Sequence, residues 1–380
     1  MKIYTITCHD AYNHGASLQA FALLRYLTKC GHDVEVIDYK PAYLSNHYNL
    51  FRIDNSKWDT NLLTKLIYLG IKVPLRIPGF KRKRAFDQFT ASYLTLTKCQ
   101  YHSNEELKDK LPERDVYLCG SDQIWNSLYQ NGKDPAFYLE FVPEGKIKAS
   151  FAASFATEEI APDLAPIVQK RIKRLDGISV REKSGINILN KMGIYNGKQV
   201  VDPALLLSRE EWNEIGKKQF HDKYILVYDF DNNSLIKEVA VKISKEKDLK
   251  IYSINPGKVN YADKYFRHVG PDVFISLVRD AAFIISNSFH AAVFSVLYQK
   301  NFAIVNREES INTRMRDFLE DLKLESRLIN PHYKMKDLLN PINYKESELI
   351  LNEKITQSKF YLENVLHPGE AAEPSLSENG

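Results

Sequence analysis

The sequence Ser286-Asn-Ser-Phe-His-Ala-Ala-Val-Phe-Ser-Val-Leu297 decides the fold of this chain. The apolar run 281–286 that leads into it is typical of a buried parallel strand. Asn287 and Ser288 both favour the cap position of a helix, and the apolar segment after them is long enough to form one. The pattern therefore predicts that His290 lies in the first turn of a helix, just beyond the carboxyl end of a strand.

That position is the one at which open α/β sheets bind ligands. The free amide groups at the start of a helix also attract anions. A polar cluster between two apolar segments therefore indicates a ligand-binding site around Asn287, Ser288 and His290. The other interpretation is a capped helix whose histidine is hydrogen-bonded within the core.

Length and composition favour two globular domains. The chain has 380 residues, of which 44% are hydrophobic and 26% are charged. The net charge is only +4, so we expect no nucleic-acid partner. The first residues run directly into a strand-like segment, and no window reaches the roughly 18 apolar residues that span a bilayer. We therefore expect a cytoplasmic protein.

The order of strand-like and helix-like segments predicts an α/β fold of two Rossmann-like domains that face a cleft. The domains are expected at 1–207 and 208–345, with a helical, basic insertion at about 41–100 in the first. Residues 346–365 are expected to form a C-terminal helix. Residues 366–380 have the composition of a disordered tail.

The insertion combines an apolar helix with positive charge. Residues 62–73 are amphipathic, and the basic cluster 81–84 follows them. Such a combination can dock on an anionic membrane surface, which would make the protein peripheral on the cytoplasmic face of the membrane. A helical insertion with a solvated basic face is the other interpretation.

Polar residues follow two strands of the first domain, at the point where each strand ends. Asn13, His14 and Gly15 precede the first helix, but this loop lacks the Gly-x-Gly-x-x-Gly pattern of a dinucleotide site. The stretch 120–126 follows a strand directly and brings polar groups and a tryptophan ring to the same sheet edge. Asp229-Phe-Asp231 closes a strand of the second domain and is interpreted as a loop, so no metal site is predicted.

Seven sequence blocks resemble the bacterial polysaccharide pyruvyl transferase family, in the family's order and over about residues 3–327. The blocks are residues 13–23, 120–126, 152–155, 179–185, 201–207, 288–290 and 314–327. Each block is a weak signal by itself, but their common order is a strong one. The departures are mild: His14 replaces an aromatic residue, and Ala291 replaces a glycine.

The resemblance implies a fold similar to that of the GT-B glycosyltransferases. It also implies transfer of a carboxyvinyl unit from phosphoenolpyruvate to two hydroxyls of one sugar, which makes a cyclic pyruvate ketal and releases phosphate. Phosphoenolpyruvate is then a co-substrate, and no bound cofactor is expected. Family members act in exopolysaccharide or capsule biosynthesis, on the saccharide itself or on its lipid-linked precursor.

Site residues follow from this chemistry. Arginine binds carboxylate and phosphate bidentately, so Arg181 and Arg314 are predicted to bind the donor together with Ser288 and Asn287. His290 is the predicted acid/base, and a hydrogen-bond donor to phosphate is its alternative role. The predicted assistant in proton transfer is Asp122. The acceptor is predicted to contact Asn13, His14, Gly15, Ser121, Gln123, Trp125 and Asn126.

Two other functions stay open from the sequence. A glycosyltransferase that uses a nucleotide sugar could have the same two-domain scaffold. A non-catalytic scaffold of a polysaccharide assembly system could instead dock to the membrane through the insertion. The predicted anion-binding residues argue against the scaffold. The glycosyltransferase would need a Gly-rich phosphate turn in the second domain, for which Pro256-Gly257 is a poor candidate.

Overall fold

A computed structural model describes residues 1–45, 51, 53, 58, 60–77, 79–255, 257, 259–309 and 311–369. Most of the predicted disordered tail, residues 370–380, lies outside the described residues. No helix in the described part of the chain is both long enough and apolar enough to cross a membrane.

Both halves of the chain alternate strands with helices. The strands are β1 (Lys2–Ile6), β2 (Asp33–Tyr39), β3 (Leu96–Tyr101), β4 (Val116–Cys119), β5 (Ile147–Ser150), β6 (Ser179–Val180), β7 (Lys198–Gln199), β8 (Tyr224–Tyr228), β9 (Lys250–Ser253), β10 (Lys264–Tyr265), β11 (Phe283–Ser286), β12 (Asn301–Val305) and β13 (Leu328–Ile329). The helices are α1 (His14–Lys29), α2 (Ala42–Ser45), α3 (Leu62–Arg76), α4 (Gly79–Tyr93), α5 (Asn104–Lys110), α6 (Ala165–Ile172), α7 (Lys183–Lys191), α8 (Arg209–Ile215), α9 (Ser234–Lys247), α10 (Pro271–Asp280), α11 (Phe289–Leu297), α12 (Thr313–Asp321), α13 (Met335–Leu339) and α14 (Lys345–Leu366).

The first domain is built on a parallel sheet in the order β3-β2-β1-β4-β5. Its central strands are buried on both faces, which accounts for their continuous apolar sequence. β6 and β7 pair beside it, and single bridges join Ala149 of β5 to Gly177 and Ala153 to Val180 of β6. The strand order changes direction between β1 and β4, so the carboxyl ends of these two strands border the crevice where such sheets bind ligands.

The second domain is built on a parallel sheet in the order β10-β9-β8-β11-β12-β13. Its central strand β11 pairs with β8 on one side and with β12 on the other. Two parallel α/β sheets of this kind confirm the predicted class of two Rossmann-like domains.

The segment predicted as an insertion is helical in α3 and α4, but it does not extend to residue 100. Residues 96–101 form β3 and pair with β2 at the edge of the first sheet. Lys98, Cys99 and Gln100 are exposed, as residues of an edge strand can be, whereas Thr97 and Tyr101 are buried. The helical excursion therefore ends at Tyr93.

Apolar packing holds the two domains together. α1 of the first domain packs against α10 and α11 of the second, and α4 packs against α10. The last helix, α14, returns to the first domain, where the Tyr361 hydroxyl donates to the Ser150 carbonyl at 2.9 Å. Ser358 Oγ accepts a hydrogen bond from the Val201 amide, also at 2.9 Å. The packing of α1 on α11 sets the starts of these two helices against each other.

Candidate active site

The turn between β11 and α11 carries the histidine on which the candidate site is centred. Ser288 caps α11, and its Oγ accepts a hydrogen bond from the Ala291 amide at 3.4 Å. His290 therefore lies in the first turn of α11, and its side chain is buried. Because the amides of a first helical turn lack intrahelical partners, this position favours an anionic group nearby.

Gly15, in the first turn of α1, lies directly against the imidazole of His290. A Cβ atom added to Gly15 would lie only 1.9 Å from Nδ1 of His290, so a side chain at this position would force the imidazole to move. The start of a first-domain helix thus contacts the start of a second-domain helix. The site lies at the boundary between the domains.

Asp202 connects His290 to the first domain. Its Oδ2 lies 3.4 Å from Nε2 of His290 and accepts a 2.7 Å hydrogen bond from Nη1 of Arg181. Its Oδ1 accepts from the Ala204 amide at 3.0 Å. Burial acts to raise the pKa of Asp202, but its interactions with His290 and Arg181 outweigh burial and hold the pKa well below its ordinary value. Asp202 is therefore an anion within ion-pair distance of the imidazole, and Nε2 of His290 has no hydrogen-bond partner among the described residues.

Arg181 follows β6 and is almost completely buried. Its guanidinium lies 4.3 Å from the ring centroid of Phe289, and Nη1 also donates to Ser121 Oγ at 3.4 Å. Nη2 lies 3.6 Å from Oδ1 of Asp122. Burial acts to lower the pKa of Arg181, but the neighbouring carboxylates, Asp202 first, raise it above its ordinary value. The side chain is a permanent cation.

Arg314 approaches the same place from the second domain. It is the second residue of α12, and its Nη1 lies 3.6 Å from the same oxygen of Asp122. Burial and the charge of Arg181 lower the pKa of Arg314 to about 10, so it is still a cation at neutral pH. Two guanidinium groups from opposite domains thus flank one carboxylate oxygen.

Both arginines keep unused hydrogen-bond donors. Among the described residues, Nε and Nη2 of Arg181 and Nε of Arg314 have no hydrogen-bond partner. Buried polar groups of folded proteins are normally paired. Because guanidinium donors match the geometry of carboxylate and phosphate, this arrangement can bind such an anion between the domains.

Glu182 supports Arg181 from the side. Its Oε1 accepts hydrogen bonds from Ser154 Oγ at 2.8 Å and from the Ala156 amide at 3.0 Å. Its Oε2 lies 3.9 Å from Nε of Arg181. Burial raises the pKa of Glu182. The residue fixes the loop after β5 against the arginine.

The predicted acceptor residues at the start of α1 have different positions. Asn13 is partly exposed and caps α1, with its side chain accepting from the Gly15 amide at 2.9 Å. His14, by contrast, is fully buried and stacks on Phe274 with ring centroids 5.2 Å apart. The prediction that His14 contacts a sugar is wrong for this conformation, because the ring lies within the interdomain core.

Most of the predicted acceptor residues in the 120–126 stretch are also buried. Trp125 has no exposed surface, and its Nε1 donates to the Phe137 carbonyl at 3.1 Å. Asn126 is buried and donates to Gln123 Oε1 at 2.8 Å, and Ser121 donates to a carbonyl of the β5 loop. Trp125 cannot stack on a sugar here because it belongs to the core. Gln123 is partly exposed.

Asn287 does not face the arginines. Its Oδ1 accepts from the Phe230 amide at 3.0 Å, and its Nδ2 donates to Asp229 at 2.9 Å and to Asp231 at 3.2 Å. The prediction that its side chain binds the donor is therefore corrected, since the amide group is already engaged. The two aspartates stabilise this loop, and no cluster of possible metal ligands occurs in the described part of the chain.

Asp202 and Glu182 are the site residues that the sequence analysis missed. Both lie inside blocks that carry the family resemblance, but neither was assigned a role. The signal for Asp202 was an acidic residue between two valines and a proline in an otherwise apolar stretch. A carboxylate in such a place needs a cationic partner when it is buried.

Comparison with known proteins identifies the family and the fold. The family model described as polysaccharide pyruvyl transferase matches residues 13–309, which is most of the chain. No curated protein matches the chain.

Similar solved structures are distant in sequence. A structure of S. aureus MnaA with UDP is 11% identical in sequence and has a TM-score of 0.52. The match covers 96% of this chain and 95% of the MnaA chain. A putative UDP-N-acetylglucosamine 2-epimerase from Listeria monocytogenes is 10% identical, with 95% and 90% coverage and a TM-score of 0.48. A UDP-glucosyltransferase from Polygonum tinctorium is 10% identical, with 97% and 95% coverage and a TM-score of 0.42. These likenesses concern the fold alone, which is of the GT-B type.

Proposed function

This chain belongs to the polysaccharide pyruvyl transferase family, and we propose that it transfers pyruvate from phosphoenolpyruvate to two hydroxyls of one sugar. The product is a cyclic ketal, and phosphate is released. The acceptor is a saccharide of exopolysaccharide or capsule biosynthesis, free or lipid-linked. Because the donor is a cytoplasmic metabolite, we place the reaction in the cytoplasm.

One observation carries this proposal: Arg181 and Arg314 come from opposite domains, converge on Asp122 and keep unused donors beside His290. Phosphoenolpyruvate has a carboxylate and a phosphate, so it needs two sets of fixed cationic donors. The first turn of α11 adds its amides to them. Ser288 and the two arginines are the donor-binding residues in this proposal.

The reaction adds both hydroxyls to the carbon that carries the phosphate. Protonation of the methylene carbon makes it a methyl group, and the neighbouring carbon then accepts the first hydroxyl oxygen. The carbon–oxygen bond to phosphate breaks, and the second hydroxyl oxygen takes its place. One hydroxyl proton thus ends on the methyl group, and the other leaves with phosphate.

His290 is the residue that we propose moves these protons. Asp202 Oδ2 lies 3.4 Å from its Nε2, and an imidazole can both donate and accept a proton. Asp122, which both arginines approach, is the proposed assistant. Asn13 and Gln123 are partly exposed, and we propose that they contact the acceptor.

Calorimetry with phosphoenolpyruvate tests the donor assignment. Arg314→Gln should weaken binding about 10- to 100-fold, because a charge-assisted hydrogen bond contributes about 1.5–3 kcal/mol. Arg316→Gln is the matched control, since Arg316 lies on the same helix but is partly exposed and pairs with Glu158 and Asp317. His290→Gln should keep most of the affinity and lose phosphate release with a panel of sugars.

Two results would contradict the proposal. The first is equal loss of affinity in the Arg314 and Arg316 variants. The second is a wild type that binds no phosphoenolpyruvate, with or without the sugar panel. Binding of UDP on the same sample would then favour a nucleotide-sugar glycosyltransferase, as the UDP in the S. aureus MnaA structure suggests for this fold.

A further inference from the structure

Helix α3 has an apolar face that points away from the body of the protein. Five of its aliphatic side chains are between 46% and 73% exposed; they are Leu62, Leu63, Leu66, Ile67 and Ile71. Their spacing of one, three and four residues places them along one side of the helix. Ile77 and Phe80 continue the exposed apolar row into the start of α4. Soluble domains rarely expose a continuous apolar patch of this kind without use.

The opposite side of α3 carries Tyr68, Lys72 and Arg76. Tyr68 is buried there, and the cationic groups of Lys72 and Arg76 each lie 5.9 Å from the centroid of its ring. The helix is thus oriented with its aliphatic residues outward and its aromatic residue inward. Core formation does not explain why the outward residues are apolar.

The charge of this segment has one sign. Residues 62–84 contain no aspartate or glutamate, and they contain the following basic residues: Lys65, Lys72, Arg76, Lys81, Arg82, Lys83 and Arg84. Arg82 is buried against the second domain, and Lys83 pairs with Asp87. Lys72, Lys81 and Arg84 are exposed. An aliphatic face next to exposed lysine and arginine side chains complements a surface that has apolar chains below anionic groups.

We propose that α3 and the start of α4, residues 62–84, form a docking surface for an anionic lipid bilayer. The aliphatic face would enter the boundary between headgroups and acyl chains, while the basic side chains would contact the headgroup phosphates. An amphipathic helix that binds in this way lies in the plane of the bilayer and does not cross it.

The start of α4 contacts the loop beside the candidate active site. Arg82 Nη2 in α4 donates to the Tyr12 carbonyl at 3.2 Å, in the loop that leads to Asn13. Docking would therefore hold the interdomain cleft close to the membrane, where a lipid-linked saccharide is found. The docking itself does not depend on the proposed reaction, and the two can fail separately.

Vesicle sedimentation tests this inference. The full chain should sediment with vesicles of phosphatidylcholine and phosphatidylglycerol in equal parts, and should stay in the supernatant with phosphatidylcholine alone. Higher salt should weaken binding, and each of the changes Lys72→Gln, Lys81→Gln and Arg84→Gln should weaken it about fivefold. The double variant Leu66→Asp/Ile71→Asp should weaken binding to the mixed vesicles at least about tenfold.

A matched control separates lost apolar contact from added negative charge. Leu349 and Ile167 are 67% and 49% exposed on other helices, so Leu349→Asp/Ile167→Asp adds the same charge elsewhere. This control should keep binding, and circular dichroism should show both double variants folded. An equal loss of binding to the mixed vesicles in the two double variants would overturn the inference. A wild type that does not bind the mixed vesicles would also overturn the inference. This outcome includes a wild type in which the aliphatic face forms a dimer that Leu66→Asp/Ile71→Asp dissociates.

Discussion

Replacing His14 by phenylalanine gives a sharp test of the interdomain core. The His14 ring has no exposed surface and lies between Phe274 and Phe86, at centroid distances of 5.2 and 4.9 Å. Neither ring nitrogen has a hydrogen-bond partner among the described residues. Burial, and next the charge of Arg82, lower the pKa of His14 well below its ordinary value. The folded protein therefore keeps this histidine neutral.

The sign of the pH dependence follows from proton binding. An unfolded chain protonates a histidine below about pH 6.5, whereas folded His14 stays neutral to much lower pH. Below about pH 6.5 the unfolded state binds one proton more than the folded state, so acidification lowers the free energy of unfolding by about 1.4 kcal/mol per pH unit. Between about pH 8 and about pH 5 the contribution of His14 amounts to about 2 kcal/mol.

Urea unfolding across this pH range measures the effect. His14→Phe should be at least as stable as the wild type at high pH, and should gain about 2 kcal/mol relative to it on acidification. His332→Phe, which changes an exposed histidine, is the control and should follow the wild type. A constant difference between His14→Phe and the wild type at all pH values would refute the assignment of His14 to a dry core.

Three other substitutions test the site. Gly15→Ala forces the imidazole of His290 to move, because the new Cβ would lie 1.9 Å from Nδ1. Phosphate release should then fall roughly a hundredfold. Calorimetry should show little change in the affinity for phosphoenolpyruvate. Asp202→Asn leaves Arg181 without its closest partner, so urea unfolding should show a loss of roughly 3 kcal/mol. Trp125→Phe should lower the free energy of unfolding by about 2 kcal/mol, as expected for a change in a core residue. Phosphate release per folded molecule should stay unchanged. Lost activity at unchanged stability would instead support a sugar-stacking role.

The sequence was most informative where local pattern and topology agree. The apolar run before Ser286 forms β11, and Ser288 caps the helix that carries His290. Arg181 and Arg314 are far apart in sequence, but both stand next to carboxyl ends of parallel strands or the helices after them. Parallel topology places each arginine at the ligand-binding edge of its own domain, and their convergence on Asp122 depends on how the two domains face each other.

The sequence was least informative about which polar and aromatic residues the domain boundary buries. His14 and Trp125 stand in polar stretches of the sequence, where an exposed ring and a buried ring have the same local pattern. Their burial depends on contacts with Phe274 and Tyr138, which no short-range signal reveals. Asp202 was missed for the same reason, since its value as a partner depends on where Arg181 lies in space.

The return of α14 to the first domain has a consequence for biosynthesis. Ser358, Leu362 and Leu366 are buried only when this helix packs, and the Val201 amide finds its acceptor there. The first domain therefore keeps an uncovered surface while the whole second domain is being translated. A chain that stops within the second domain would expose that surface to cellular proteases. Full protection of that surface comes only with the last turns of α14.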